Sequence, residues 1–316
     1  RVGPPFANWK IAVIGAGTMG HSIALSFALH GLSTLLTDKD LRQLDQAKRL
    51  ITAHLRLLAE MKEIRPSEID LTQKSLSYCE QLEEAVCGAN LIIETVSEIP
   101  DIKKSIFTLL DDLCNETTIM ASNTSALNIY DFLNVKRPER LIITHWFNPP
   151  HLMPLVEVVP GPYTSQHTID TIRSLLSALG KTPALMKGYV PGFIINRLAM
   201  AIMREVGYMI DMDYVSPADI DAAIMATFGL RYAFEGPIGL AENVGWDVIQ
   251  SVLTFLSPLL YRGTGPSAFI DGLCTEGRLG VKTGRGVKDY SGRSIDEILD
   301  ERNRKILLMI RAVKNL

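Results

Sequence analysis

Cysteine is scarce in this chain: four thiols in 316 residues, at positions 79, 87, 114 and 274, with no CxxC pair among them. Isolated thiols cannot build a disulfide framework or a thiolate zinc site, and they fit a reducing compartment. The six histidines include no HxxxH or HExxH pair, so no metal site is expected. An excess of one charge is also lacking. Lys and Arg total 32 against 35 Asp and Glu, a net charge of −3, and no basic patch marks a nucleic-acid or anionic-membrane partner. No apolar run approaches the roughly eighteen residues of a membrane span. Arg1 to Trp9 lacks the charged-then-apolar layout of a signal peptide. Internal repeats and low-complexity segments are missing too. The expectation is a soluble cytoplasmic protein. What the chain does have is core material: 47% hydrophobic against 21% charged residues, over a length that suggests about two domains.

The first informative stretch is a buried-strand pattern, Lys10–Ile14, running straight into Gly15-Ala16-Gly17-Thr18-Met19-Gly20 and then into a helical pattern closed by Gly31. In such a GxGxxG turn one glycine makes the tight bend, one lets backbone approach a pyrophosphate, and one lets helix and strand pack closely. The phosphates sit at the helix N-terminus, where free amides and the helix dipole favour negative charge. A second strand, Ser33–Thr37, ends at Asp38, near the distance expected for a carboxylate that binds the adenosine ribose diol. Its charge would repel a 2′-phosphate, so NAD is the expected cofactor over NADP, although Lys39 stands beside it.

Further along, a helical pattern over 41–64 closes at Pro66. Leu91, Ile92 and Ile93 form a strand ending in Glu94, residues 102–113 read as helix, and Ile119, Met120 and Ala121 as the next strand. Strands alternating with helices imply a parallel, doubly wound sheet of Rossmann type, whose ligands lie at the carboxyl ends of the strands. Those ends carry Thr95 to Glu98, Ser122 to Ser125, and His145. Each Ser or Thr alone is as well explained as a helix cap.

The stretch 144–159 organises the rest. The apolar run Leu141-Ile142-Ile143 delivers His145 at its tip, Pro149 and Pro150 force a turn, and Leu155-Val156-Glu157-Val158-Val159 returns as a strand with one carboxylate embedded in it. A carboxylate flanked by valines is costly to bury unless something pairs with it. His145 is the natural partner, and a His held by a Glu is suited to general base chemistry. The alternative is a purely structural ion pair. Beyond it come a helix over 166–179, a short strand over 182–186, and a boundary near Gly188. The remainder reads as helix: 193–212, 218–227, 240–256, and an amphipathic tail from Ile295. The expected division is therefore 1–188 for a nucleotide-binding domain and 189–316 for a smaller, mostly helical domain. Asn196 falls in the first turn of its first helix, as a cap or as an amide facing a cleft.

Taken in order, GAGTMG, LIIE followed by a second acid, ASNTSAL, HWFNPP with PLVEVV, PGFIINR, GPIGL and KTGRG make the chain resemble the L-3-hydroxyacyl-CoA dehydrogenase family over almost all of its length. The resemblance implies NAD-dependent interconversion of a 3-hydroxyl and a 3-keto group. It assigns His145 as base, Glu157 as its orienting partner, and Ser125 and Asn196 as hydrogen-bonding residues around the substrate hydroxyl. Asp38, Glu98, Lys103, Ser125, Asn148 and Lys282 match its NAD-contacting positions, and the helical domain is implied to form a homodimer interface.

Two departures bear on the substrate. Members that use CoA carry a lysine cluster on the helix after the second strand, whereas 54–63 here offers only Arg56 and Lys62. The Pro149-Pro150 pair, Pro154 and the stretch Gly229 to Phe234 look more like the branch with L-gulonate 3-dehydrogenase (lambda-crystallin) and carnitine dehydrogenase. Arg231 in that stretch could bind a substrate carboxylate through two parallel hydrogen bonds; a solvated salt bridge explains it equally well. The match along the whole chain favours 3-hydroxyacyl-CoA as substrate, with a free 3-hydroxy acid as the alternative. A non-catalytic, crystallin-like NAD-binding protein is the remaining reading, and the intact set Ser125, His145, Glu157 and Asn196 argues against it.

Overall fold

The computed structural model describes residues 2–315. The chain divides into two compact units between Ile194 and Ile195. That is six residues past the expected division at 188/189, because 189–194 is tied to the first unit. The Tyr189 hydroxyl donates to Ala126 O at 2.6 Å, and Ile194 N donates to Glu157 Oε1 at 2.9 Å.

The first unit is the expected doubly wound sheet. Its eight strands are β1 (Lys10–Ile14), β2 (Ser33–Thr37), β3 (Leu76–Cys79), β4 (Leu91–Glu94), β5 (Ile119–Ser122), β6 (Leu141–Trp146), β7 (Leu155–Pro160) and β8 (Thr182–Leu185). They lie in the order β3-β2-β1-β4-β5-β6-β7-β8, with every neighbouring pair parallel except β6 and β7. Alternate residues of a strand face opposite sides, so the sheet feeds two cores. Ile11 and Val13 face α1 (Gly20–Ala28) and α2 (Leu41–Glu60); Ala12 and Ile14 face Val86 and Phe107 on the other side. All nine residues of α1 are buried. The chain winds from β1 outward to β3, then returns to β4 on the far side of β1. This reversal opens a crevice at the carboxyl ends of β1 and β4, where ligands of such sheets bind.

Several elements differ from the sequence pattern for local reasons. Pro66 does not close the preceding helix. That helix ends at Glu60, and Pro66 opens α3 (Pro66–Lys74), where its missing amide is no loss. Strand β3 has no readable apolar pattern, because only Leu76 of its four residues is buried at the sheet edge. The short α4 (Leu82–Val86) also lacked a readable period. Next come α5 (Pro100–Leu113) and α6 (Gln166–Ala178). His145 is not at a strand tip: β6 continues through Trp146 with all six residues buried.

Among the described residues the second unit is built of helices, α7 (Ile195–Asp211), α8 (Pro217–Ile224) running into a π-helical turn (Met225–Gly229), α9 (Pro237–Val244), α10 (Trp246–Leu256), α11 (Ala268–Thr275) and α12 (Ile295–Lys314), with isolated β-bridges from Arg285 to Gly280 and Asp289. The helix expected from 193 starts at Ile195, because Phe193 takes φ 48°, outside the helical region. The helix expected over 240–256 is two helices, broken where Gly245 takes φ 101°. Among the described residues no helix is long and apolar enough to cross a membrane.

A stack of three imidazoles locks the α1–α2 face. His21 lies 5.5 Å from His54 and His54 4.2 Å from His151, between ring centroids. His151 Nδ1 is 2.7 Å from Ser22 Oγ, which also accepts from His151 N at 3.0 Å. Lys181, in turn, donates to Pro150 O and Met153 O and so pins the same turn. Burial lowers the pKa of His21 from 6.5 and, with His54, His21 and Lys181 nearby, lowers that of His151 well below it. The folded rings therefore refuse protons that the unfolded chain accepts once pH falls below about 6.5, and stability is lost in that window. The melting temperature should fall by several degrees from pH 7 to pH 5.5. His151→Gln, which removes the more strongly lowered of the two titrations, should flatten the slope.

Candidate active site

At the crevice, Gly15 takes φ 98°, and a Cβ on Gly20 would sit 1.7 Å from Gly15 O. Only glycine serves at either place. A Cβ on Gly17, by contrast, would meet nothing within 4 Å, so backbone there stays open to a close-approaching group. Thr18 is exposed, and Met19 is the N-cap of α1. A cleft of about 410 Å³ opens alongside, lined by Gly15, Gly17, Asp38, Lys39, Thr95 and Ile106 among others.

Asp38 stands in this cleft with both oxygens anchored: Oδ2 accepts from Ala16 N at 2.8 Å and Oδ1 from Asp40 N at 2.9 Å. A carboxylate offers about four lone-pair sites, so two remain for ribose hydroxyls. The open Gly17, the close contact at Gly20 and the anchored carboxylate together fit a dinucleotide.

Four strands along, β6 and β7 pair antiparallel with His145 directly opposite Glu157. Both point to the face where Phe193 packs; the ring of Phe193 is 5.3 Å from that of His145, and Phe147 is 4.6 Å away. Glu157 has no exposed surface. Removing a carboxylate from water costs several kcal/mol even after relaxation, so its partners matter. His145 Nδ1 lies 2.7 Å from Oε2, and Ile194 N donates to Oε1 at 2.9 Å. A carboxylate that accepts from Nδ1–H fixes the tautomer and leaves Nε2 with its lone pair, in basic form.

Between crevice and histidine lies a polar network. Lys103, 1% exposed, donates to Glu94 Oε1 at 2.7 Å and to Glu98 Oε2 at 3.2 Å. Glu98 Oε1 accepts from Thr124 Oγ1 at 2.5 Å, Ser125 N at 2.8 Å and Ala126 N at 3.2 Å. Burial pushes the Glu98 carboxyl up, but the Thr124 hydroxyl, the Lys103 ammonium and the Ser125 amide together hold it below its ordinary value. Asn123 closes the gap between strands: its Oδ1 accepts from Trp146 N at 2.9 Å.

The structure thus brings Glu98, Lys103 and Ser125 into one hydrogen-bonded group and His145 with Glu157 into another. Asn148 is exposed just after β6. Asn196 is the second residue of α7, Arg231 ends the helical stretch after α8, and Lys282 lies exposed in a single 3-10 turn; all three belong to the helical unit. Thr124 lies in the stretch 122–125 that the sequence places at a strand end; sequence reasoning missed Glu94 and Phe193 as members of the site region. Glu94 was visible as an acid ending an apolar strand, but its link to Lys103 spans nine residues and needs the fold to be seen.

The chain is similar to known dehydrogenases along most of its length. The family model described as "3-hydroxyacyl-CoA dehydrogenase, NAD binding domain" matches residues 10–189, and the one for the C-terminal domain of the same family matches residues 192–290. A 5-formyl-3-hydroxy-2-methylpyridine 4-carboxylate 5-dehydrogenase of Mesorhizobium japonicum is 30% identical over 306 residues, 96% of this chain and 98% of that protein. A 3-hydroxybutyryl-CoA dehydrogenase of Clostridioides difficile is 33% identical over 292 residues, 89% of this chain and 99% of the other. The crystal structure of a dehydrogenase acting on the same pyridine carboxylic acid, described as an NAD+-dependent dismutase, superposes with a TM-score of 0.89 at 29% identity, covering 97% of this chain and 99% of that one.

NAD is the cofactor these relationships establish. Asp38 makes a discriminating test, since a second anion beside it is repelled. Calorimetry should find NAD bound at least tenfold more tightly than NADP, and Asp38→Ala should shrink that ratio toward unity. Equal affinities in the unaltered protein would remove Asp38 from the ribose site.

Proposed function

This chain belongs to the 3-hydroxyacyl-CoA dehydrogenase family, and we propose that it oxidises a hydroxyl on a small free carboxylic acid, reversibly, with NAD. The observation that carries the reaction is the sealed Glu157 beneath His145. With Nδ1–H engaged by Glu157, Nε2 takes the substrate hydroxyl proton, and the same carboxylate then stabilises the imidazolium. Bound NAD supplies the hydride acceptor. In the reverse direction the Nε2 proton returns to the carbonyl oxygen. Ser125 and Asn196 are assigned to orient the hydroxyl, where positioning contributes a large share of rate. Gly15, Gly17, Thr18, Met19 and Gly20 hold the pyrophosphate and Asp38 the ribose; Glu98, Lys103, Asn148 and Lys282 complete the cofactor's surroundings.

Two observations support a free acid over a thioester. The Mesorhizobium relative, matched end to end, is named for a free pyridine carboxylate. And 54–63 supplies only Arg56 and Lys62 for the phosphates of CoA, with the ring of His54 drawn into the stack against His21 and His151. Arg231 is then the candidate to grip the carboxylate. The second reading, a 3-hydroxyacyl-CoA substrate, is favoured by the clostridial relative, whose name gives 3-hydroxybutyryl-CoA.

A homodimer belongs to the same proposal. The helical unit exposes Leu198, Met200 and Ile202 on α7 and Val252, Leu253 and Phe255 on α10, each 46–69% accessible. Apolar surface of this extent marks an interaction site rather than a solvated face.

His145→Gln should lower kcat by about 10²- to 10⁴-fold, the range for a positioned proton acceptor, with NAD affinity nearly unchanged; a fully active variant would end the assignment. Comparing kcat/KM for free 3-hydroxy acids, pyridine carboxylates and 3-hydroxybutyryl-CoA decides the substrate class. Free acids should lead, and Arg231→Met should depress only their turnover. Preference for the thioester would give the second reading. Sedimentation should return twice the 34.9 kDa chain mass; a monomer would refute the dimer.

A further inference from the structure

Glu94 ends β4 with no exposed surface, and every contact of its carboxylate is internal. Oε1 accepts from Lys103 Nζ at 2.7 Å and from Val96 N at 2.8 Å; Oε2 accepts from Ser122 Oγ at 2.6 Å. Lys103 comes from the first turn of α5 and is itself sealed at 1% exposure. A lysine and a glutamate would complete an ion pair. Here the ammonium also reaches a second carboxylate, Glu98 Oε2 at 3.2 Å, so the group carries one surplus negative charge. The remaining oxygen of Glu98 serves one short segment: Thr124 Oγ1, Ser125 N and Ala126 N donate to it, and Ser125 Oγ lies 3.4 Å away. Stability alone does not call for a surplus charge aimed at a turn. The order of contacts, from sheet interior to ammonium, to half-exposed carboxylate, to the loop after β5, is that of a strut.

We propose that Glu94 is a positioning residue: by holding the Lys103 ammonium inside the sheet it fixes Glu98, and through Glu98 the 124–126 turn, in the arrangement that binds NAD. This rests on the assignment of Glu98 and Ser125 to the cofactor site and not on the choice of substrate. Removing the cation is the revealing change. In Lys103→Met the buried Glu94 carboxylate and the half-exposed Glu98 carboxylate lose the cation between them, and like charges so placed favour a proton on one of them, with a raised pKa. The turn then loses its geometry at high pH and regains it as pH falls. Glu94→Gln added to Lys103→Met leaves Glu98 as the sole carboxylate and removes the conflict.

The test measures NAD dissociation constants by calorimetry from pH 6 to pH 8.5, with melting temperatures alongside, in the unaltered protein and in Lys103→Met, Glu94→Gln and the double variant. Lys103→Met should bind NAD about tenfold or more weakly at pH 8 and recover toward pH 6, the tenfold matching one unit of protonation. The double variant should bind more tightly than Lys103→Met at pH 8 and lose the pH dependence. If Lys103→Met does not fold, Glu94→Gln alone decides: KM for NAD should rise about fivefold or more while kcat at saturating NAD stays within about twofold, a split that general loosening would not produce. A double variant no better than Lys103→Met overturns the proposal, as does a change in melting temperature with unaltered NAD affinity. Should the unaltered protein bind no NAD, the cofactor assignment itself falls, and this inference with it. Normal wild-type binding with indifferent variants overturns the inference alone.

Discussion

A carboxylate sealed between two strands is the constraint on which the site depends. Glu157 has no exposed surface and sits among Val156, Val158 and Val159, all fully buried. Left unpaired, its charge would be neutralised by a proton or the strand would open. Antiparallel pairing of β6 with β7 places His145 directly across from it, and the backbone of Ile194 supplies the second donor. The same two hydrogen bonds that make the burial tolerable also set the histidine tautomer and tie 189–194 to the sheet. Stability and chemistry therefore share their parts, which is why a structural ion pair and a catalytic dyad are hard to distinguish from sequence alone.

The sheet repeats this device three strands away, on β4. Glu94 and Glu157 both end or interrupt apolar strands, and both are completely buried. Each is held by a cationic or protonatable side chain and a backbone amide, Lys103 and Val96 for the one, His145 and Ile194 for the other, and Glu94 also accepts from the Ser122 hydroxyl. In a parallel sheet covered on both faces, the carboxyl edge is where such groups can lie close to ligand and still be held rigidly. Rigid anchoring of this sort keeps polar groups from reorganising when charge moves nearby.

The two units are built on opposite logics. The first buries its hydrophobic residues in two cores, one on each face of the sheet. Among the described residues of the second, the buried hydrophobic side chains are Ala241 and Leu307, while α7 and α10 turn large apolar residues outward. A helical unit of that composition reads as soluble only when its apolar faces are covered, and this links the dimer proposal to composition rather than to any single contact.

Much of this was legible in the order of residues. The GAGTMG turn between a strand and a helix, the acid at the end of β2, and the carboxylate inside LVEVV carry their meaning locally, because each is a short-range conflict between residue type and environment. Periodicity located most of the first unit's strands, since strands buried on both faces are apolar runs. It failed at β3, a four-residue edge strand with one buried side chain, and at Pro66, which starts a helix as readily as it stops one. It failed again where Gly245 and Phe193 leave the helical region, because a single positive φ breaks a helix without altering its period. Lys103 was found by its match to a motif, but that its ammonium faces Glu94 and Glu98 follows from the pairing of β4 with β5 and the placement of α5. Which charges meet is set by strand order and register, and those are decided by the packing of the whole sheet rather than by any segment of it.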